Sequence, residues 1–146
     1  MAALVMLSAT VILGLLLPSS MANNVLFGGD RLNTGESLRE GNFKFTMMPD
    51  CNLMLLDNRQ AVSVALWASN TNGLGSNCFA RMQTDGKFVI FNDNFNKVWS
   101  SNTHGQEGKY ILVLQRDGHV VIYSRPIWTI PEDEPMNRKI AMVTKN

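Results

Sequence analysis

The chain is poor in the residues that usually announce metal binding, nucleic-acid contact or membrane insertion. Its 146 residues include two histidines and two cysteines. His104 and His119 have no cysteine or carboxylate companions at ligand spacing, so neither zinc nor any other cofactor finds support. Excess charge is also missing: thirteen basic residues stand against twelve acidic ones, and no basic stripe is interleaved with aromatics. This balance argues against nucleic acid as a partner. Long apolar runs are equally scarce. The one candidate, Val5 to Leu17, is too short to span a bilayer comfortably, and Ser20-Met21-Ala22 follows it with the small residues a signal peptidase inspects. Residues 1–22 are read as a signal peptide despite the lack of Lys or Arg before the apolar run. Secretion is the consequence, to the extracellular space or the vacuole, and no second stretch is left to form a membrane span. Helical periodicity is absent from the remainder.

About 124 residues follow the apolar segment, enough for one domain with a modest core. Cys51 and Cys78 then lie in an oxidising compartment, where a disulfide is the first expectation. Closing that loop would contribute roughly 3 to 4 kcal/mol in the chain-entropy picture. No Asn-x-Ser/Thr sequon occurs, so N-glycosylation is not expected.

What the chain does have is a nine-residue alternating phrase written three times. The fullest copy is Gln115, Asp117, His119, Val121, Tyr123; the second is Gln83, Asp85, Lys87, Val89, Phe91; the loosest is Met48, Asp50, Asn52, Met54, Leu56. Trp67, Trp99 and Trp128 close the three units. The aspartates are separated by 35 and 32 residues, and the first two tryptophans open near-identical strings, Trp67-Ala68-Ser69-Asn70-Thr71 and Trp99-Ser100-Ser101-Asn102-Thr103. A period near 32 marks a repeat protein.

Alternation of this kind is strand patterning, with residues 115 to 123 read as one run whose even-numbered members face the opposite way. By the same logic Phe88 and Ile90, and Leu53 and Leu55, are core residues. Turn signals recur at Asn72-Gly73, Asp85-Gly86, Asn92-Asp93-Asn94, Gly105 to Gly108 and Asp117-Gly118. An all-β domain follows, as three small sheets around a pseudo-threefold axis with one tryptophan per unit packed near that axis. Beyond Pro131 the rhythm stops, and residues 131–146 are read as a charged C-terminal tail or propeptide.

The threefold phrase Gln-x-Asp-x-Asn-x-Val-x-Tyr, with the cysteine and tryptophan placement, resembles the monocot mannose-binding lectins, the bulb-lectin family. The likeness runs through residues 24 to about 130, within a domain bounded at 23–130. The strings Asp50-Cys51-Asn52-Leu53, Met82-Gln83-Thr84-Asp85-Gly86 and Val120-Val121-Ile122-Tyr123 carry it. What the resemblance implies is a β-prism of the second type, β-prism II: three four-stranded antiparallel sheets, each with a mannose pocket. It also implies a homodimer or homotetramer, often built by exchange of the C-terminal strand, here the segment around Trp128.

By that analogy Asp and Asn would serve the hydroxyl at carbon 2 of mannose, Gln that at carbon 3, Tyr that at carbon 4, and Val the ring carbons. The third repeat keeps four of five positions, with His119 in place of Asn. The second keeps three, with Lys87 and Phe91 as departures. Each hydrogen bond lost removes roughly 0.5 to 1.5 kcal/mol, so the second site should be weak. The first keeps only Asp50 and Asn52, and its methionines present an adaptable apolar surface instead. Catalysis is not expected, because Asp50, Asp85 and Asp117 fall on different faces and form no carboxylate pair. Two readings result: a secreted mannose-type lectin with reduced site number, of a kind suited to plant defence, or a lectin-related storage or protein-binding module without sugar binding.

Overall fold

The computed structural model describes residues 23–124. The signal-peptide reading of 1–22, the tail at 131–146 and the segment around Trp128 lie outside the described residues. Eleven strands, and no helix, occur among those residues: β1 Val25–Phe27, β2 Arg31–Leu32, β3 Ser37–Glu40, β4 Phe43–Met47, β5 Leu53–Asp57, β6 Val64–Ala68, β7 Phe79–Met82, β8 Phe88–Phe91, β9 Lys97–Ser100, β10 Tyr110–Leu114 and β11 Val120–Ser124. They form three antiparallel sheets in the orders β3-β4-β5-β6, β2-β7-β8-β9 and β1-β10-β11. The first two have four strands. The third has three among the described residues.

Each sheet is built around one hairpin, β4-β5, β7-β8 or β10-β11, and the repeats map onto these hairpins in order. Inward-facing rows are apolar: Leu38, Phe45 and Leu55 in the first sheet; Leu32, Ala80 and Ile90 in the second; Leu26 and Leu112 in the third. Leu53, Leu55, Phe88 and Ile90 are buried as their alternation predicts, while Val120 and Ile122 pack against the core from partly buried positions. Near the axis, Trp67 and Trp99 meet edge to face at 5.6 Å. Trp67 is nonetheless 40% exposed, so its role as a packing residue is only partial among the described residues.

The alternating phrase is not a single strand. Its first half is a tight turn, and the strand begins only at Leu53, Phe88 or Val120. In the third repeat the Gln115 N–H donates to the His119 carbonyl at 2.8 Å and the Gly118 N–H to the Gln115 carbonyl at 3.0 Å. Gly118 sits at φ +84°. This is a three-residue hairpin loop closed by a left-handed residue. The second repeat repeats it with Gln83, Lys87 and Gly86, also at φ +84°. In the first repeat the left-handed position is Cys51, at φ +74°, where a side chain other than glycine's is uncommon.

That position joins each sheet to the next. Cys51 is disulfide-bonded to Cys78, which immediately precedes β7, so the bridge ties the first sheet to the second. Gly86 lies under the ring of Tyr110, so closely that an added Cβ would stand 2.9 Å from its Cε1. Gly118 lies under Phe43, at 2.8 Å by the same measure. Cys78, Tyr110 and Phe43 occupy equivalent places, four residues before Met82, Leu114 and Met47, the last residues of their strands. One covalent and two close-packed joints therefore link the three sheets in a cycle.

Candidate functional site

In each hairpin the phrase aspartate sits at the loop tip, and one of its oxygens is already occupied. Asp50 Oδ1 accepts from the Asn52 N–H at 3.0 Å, Asp85 Oδ1 from the Lys87 N–H at 3.1 Å, and Asp117 Oδ1 from the His119 N–H at 3.0 Å. These are Asx turns, and they explain why aspartate suits the loop irrespective of any ligand. A second oxygen remains on each carboxylate. What happens to it differs between the repeats.

In the third repeat, Gln115 and His119 flank the loop while Val121 and Tyr123 extend along β11, so all five phrase residues are gathered on one side of the hairpin. Tyr123 is 47% exposed, and its hydroxyl oxygen accepts from Gln115 Nε2. His119 Nδ1 lies 3.2 Å from Asp117 Oδ1, the oxygen already held by the backbone, and the Asp117 side chain is 61% exposed. The His119 backbone N–H, supported by its side chain, holds the Asp117 carboxyl below its ordinary value. The carboxylate is thus ionised and fixed in direction. Such a face offers acceptors, an amide donor, a phenol and an aliphatic patch within one hairpin, which is what vicinal hydroxyls and a ring face require.

The second repeat has the same backbone and a different surface. Lys87 Nζ stands 3.4 Å from Asp85 Oδ2, so both carboxylate oxygens have protein partners. Val89 is only 2% exposed, and Phe91 stacks on Phe79 with ring centroids 5.5 Å apart. The valine assigned to ring contact is closed off here. In the first repeat Asn52 Oδ1 accepts from Ser69 Oγ at 3.1 Å and from the Thr71 N–H at 3.3 Å, while Met48, Met54 and Leu56 line the rest of the face. Asn52 is spent on holding the hairpin.

The Ser-Asn-Thr strings have a role that alternation did not reveal. Ser69 Oγ accepts from the Leu53 N–H at 2.9 Å and meets Thr71 Oγ1, which donates to the Cys51 carbonyl at 2.6 Å. Ser101 and Thr103 repeat this on Phe88 and Gly86, with Thr103 Oγ1 donating to the Gly86 carbonyl at 2.7 Å. Each latch secures the loop of its own repeat. The identical spacing from the tryptophan was the signal that could have found it.

No family model matches the chain. Among curated proteins it is 46% identical over 84 residues to the mannose-specific lectin of snowdrop, Galanthus nivalis, an alignment covering 58% of this chain and 51% of that protein. It is 35% identical over 94 residues to Curculin-2 of Molineria latifolia, covering 64% of this chain and 57% of the relative. The chain spans between half and two thirds of the length of the curated relatives it matches most strongly. Solved structures agree over the folded domain. The mannose-specific agglutinin from snowdrop bulbs, complexed with methyl-α-D-mannoside, superposes with a TM-score of 0.69 at 44% identity, covering 76% of this chain and 98% of that one. The lectin of bluebell, Scilla campanulata, gives 0.68 at 36% identity over 77% of this chain and all of that one. With its three antiparallel sheets arranged as a β-prism II, the chain belongs to the monocot mannose-specific lectins, the bulb-lectin family, and not to a family of enzymes.

Proposed function

We propose that this protein is a secreted mannose-type carbohydrate-binding lectin with fewer working sites than repeats, and that the third-repeat hairpin is its principal pocket. The observation that carries this reading is the gathering of Gln115, Asp117, His119, Val121 and Tyr123 on one side of the hairpin, with the Asp117 side chain 61% exposed. Similarity to an agglutinin complexed with methyl-α-D-mannoside supports the choice of sugar. The second hairpin is weaker because Lys87 neutralises Asp85, and the first is silent because Asn52 is engaged and methionines replace the polar positions. Assembly into a homodimer or homotetramer would raise the avidity of such weak sites for mannose-rich glycans. Residues 1–22 serve as signal peptide and 131–146 as a tail or propeptide.

Calorimetric titration with a mannose oligosaccharide, beside Tyr123→Phe and Asp117→Ala, tests the proposal. Saturable binding weakened by Tyr123→Phe and abolished by Asp117→Ala is expected. Absence of binding at millimolar sugar sinks it. One observation favours a second reading, a lectin-related storage or protein-binding module: the Gln115–Tyr123 and His119–Asp117 contacts let the pocket satisfy its own groups. That reading predicts no change in either contact, by NMR, when mannose is added.

A further inference from the structure

One row of outward side chains crosses each sheet two residues behind the hairpin, and its chemistry differs from sheet to sheet. In the first sheet the row is Ser37, Thr46 and Met54; in the third it is Val25, Val113 and Val121. In the second it is Arg31, Arg81 and Val89, with the two arginines directly opposite each other on β2 and β7. Like charges facing across neighbouring strands repel. The fold accepts hydroxyls or valines at these places, so folding does not demand the pair.

Neither guanidinium has a carboxylate within ion-pair distance among the described residues, and both side chains are exposed. Arg31 is also held in place. Its guanidinium carbon lies 4.7 Å from the centroid of the Phe79 ring, which stacks on Phe91 and meets Phe95 edge to face. A guanidinium over a ring face is attracted by it and keeps N–H donors for an anion. Arg81 stands where two surface recesses meet. One, of about 610 Å³, also contains Arg31, Asn23 and Asp30; the other, of about 300 Å³, contains Gln83, Asp85 and Glu107. Asp30 in one recess and Asp85 and Glu107 in the other would repel an anion, so the favourable place for one is beside the two arginines.

We infer that the outer face of the second sheet binds an acidic saccharide: Arg31 and Arg81 clamp its carboxylate or sulfate, and Gln83 contacts hydroxyls of the same or the adjoining residue. The hydroxyl half of this inference rests on the proposed carbohydrate reading; the arginine half does not. Charge-assisted, bidentate bonds to the anion would supply what this hairpin lacks for a neutral sugar. The first sheet contains a similar cationic pair, Arg39 opposite Lys44, but its neighbours are Met54 and Leu56, which cannot read hydroxyls. It serves as an internal control.

The test is calorimetric titration of the full chain with tetragalacturonate, with mannose 6-sulfate and with neutral mannotetraose at low salt. Binding of at least one acidic saccharide is expected, weakened about tenfold or more by Arg31→Ser and by Arg81→Thr, with mannotetraose affinity unchanged. Both replacements are the residues of the first sheet's own row, and an unchanged thermal transition verifies that the variants fold. Which acidic saccharide binds identifies the anion. Failure of both acidic saccharides to bind, indifference to the arginine substitutions, or an equal loss in Arg39→Ser would overturn the inference. Acidic binding without mannotetraose binding would remove the proposed neutral-sugar function and leave the clamp standing.

Discussion

In the second hairpin Lys87 Nζ lies 3.4 Å from Asp85 Oδ2, whereas in the third the corresponding His119 Nδ1 lies 3.2 Å from Asp117 Oδ1, which the backbone already holds. The two loops share their hydrogen bonds, their φ of +84° at glycine and their place in the prism. The Asp85 side chain, beside the lysine, is 35% exposed, and the Asp117 side chain, beside the histidine, 61%. The comparison separates what the loop needs from what a ligand needs: one aspartate oxygen builds the turn, and the other is available for recognition.

Removing the third carboxylate should have the largest consequence. Asp117→Ala should weaken mannose binding about a hundredfold, beyond detection for a shallow site, while Asp85→Ala should change it little, as isothermal calorimetry can establish. Equal losses would mean that the two hairpins are not functionally distinct. Next come the glycines. Gly118→Ala and Gly86→Ala should each destabilise the fold by about 1 to 3 kcal/mol, because a Cβ is strained at positive φ and meets the Phe43 or Tyr110 ring. Urea midpoints measure this, and similar values for both would show that the scaffold treats the loops alike.

A smaller, constructive change is Lys87→Asn combined with Phe91→Tyr, which should add a second, weak class of mannose sites visible as increased stoichiometry. If stoichiometry stays the same, the burial of Val89 and not the lysine is the obstacle. The smallest effect concerns acid. Asp117 titrates below the ordinary carboxylate value of 3.8 in the folded chain, first through the His119 N–H, so its contribution is complete above that value and is lost as the pH falls through the lowered one. The urea midpoint of the wild type should then converge on that of Asp117→Asn as the pH drops below about 3.8.

Much of this architecture was legible beforehand. The period, the buried leucines and Ile90, and the Cys51–Cys78 bridge all follow from repeats, alternation and compartment. The misreading of the phrase as one strand has a physical origin. A three-residue loop closed by a left-handed residue returns the chain with Gln115 opposite His119, so the phrase residues stay on one side and the period of two survives the reversal. Asp85-Gly86 and Asp117-Gly118 did signal turns, but the first copy carries Asp50-Cys51 and masks the rule. The facing of Arg31 and Arg81 was invisible for another reason. Their strands are 50 residues apart, and β2 is only two residues long.

The three inter-sheet joints form a closed loop, and a loop of three links stays connected when any one link is cut. Reduction of the bridge would leave the second and third sheets held at Gly86 and the third and first at Gly118, turning a ring into a line without releasing a member. The covalent joint thus reinforces a closure that the other two already provide. In this scaffold redox state would set the margin of cohesion, while the shape presented to a ligand would persist through both states.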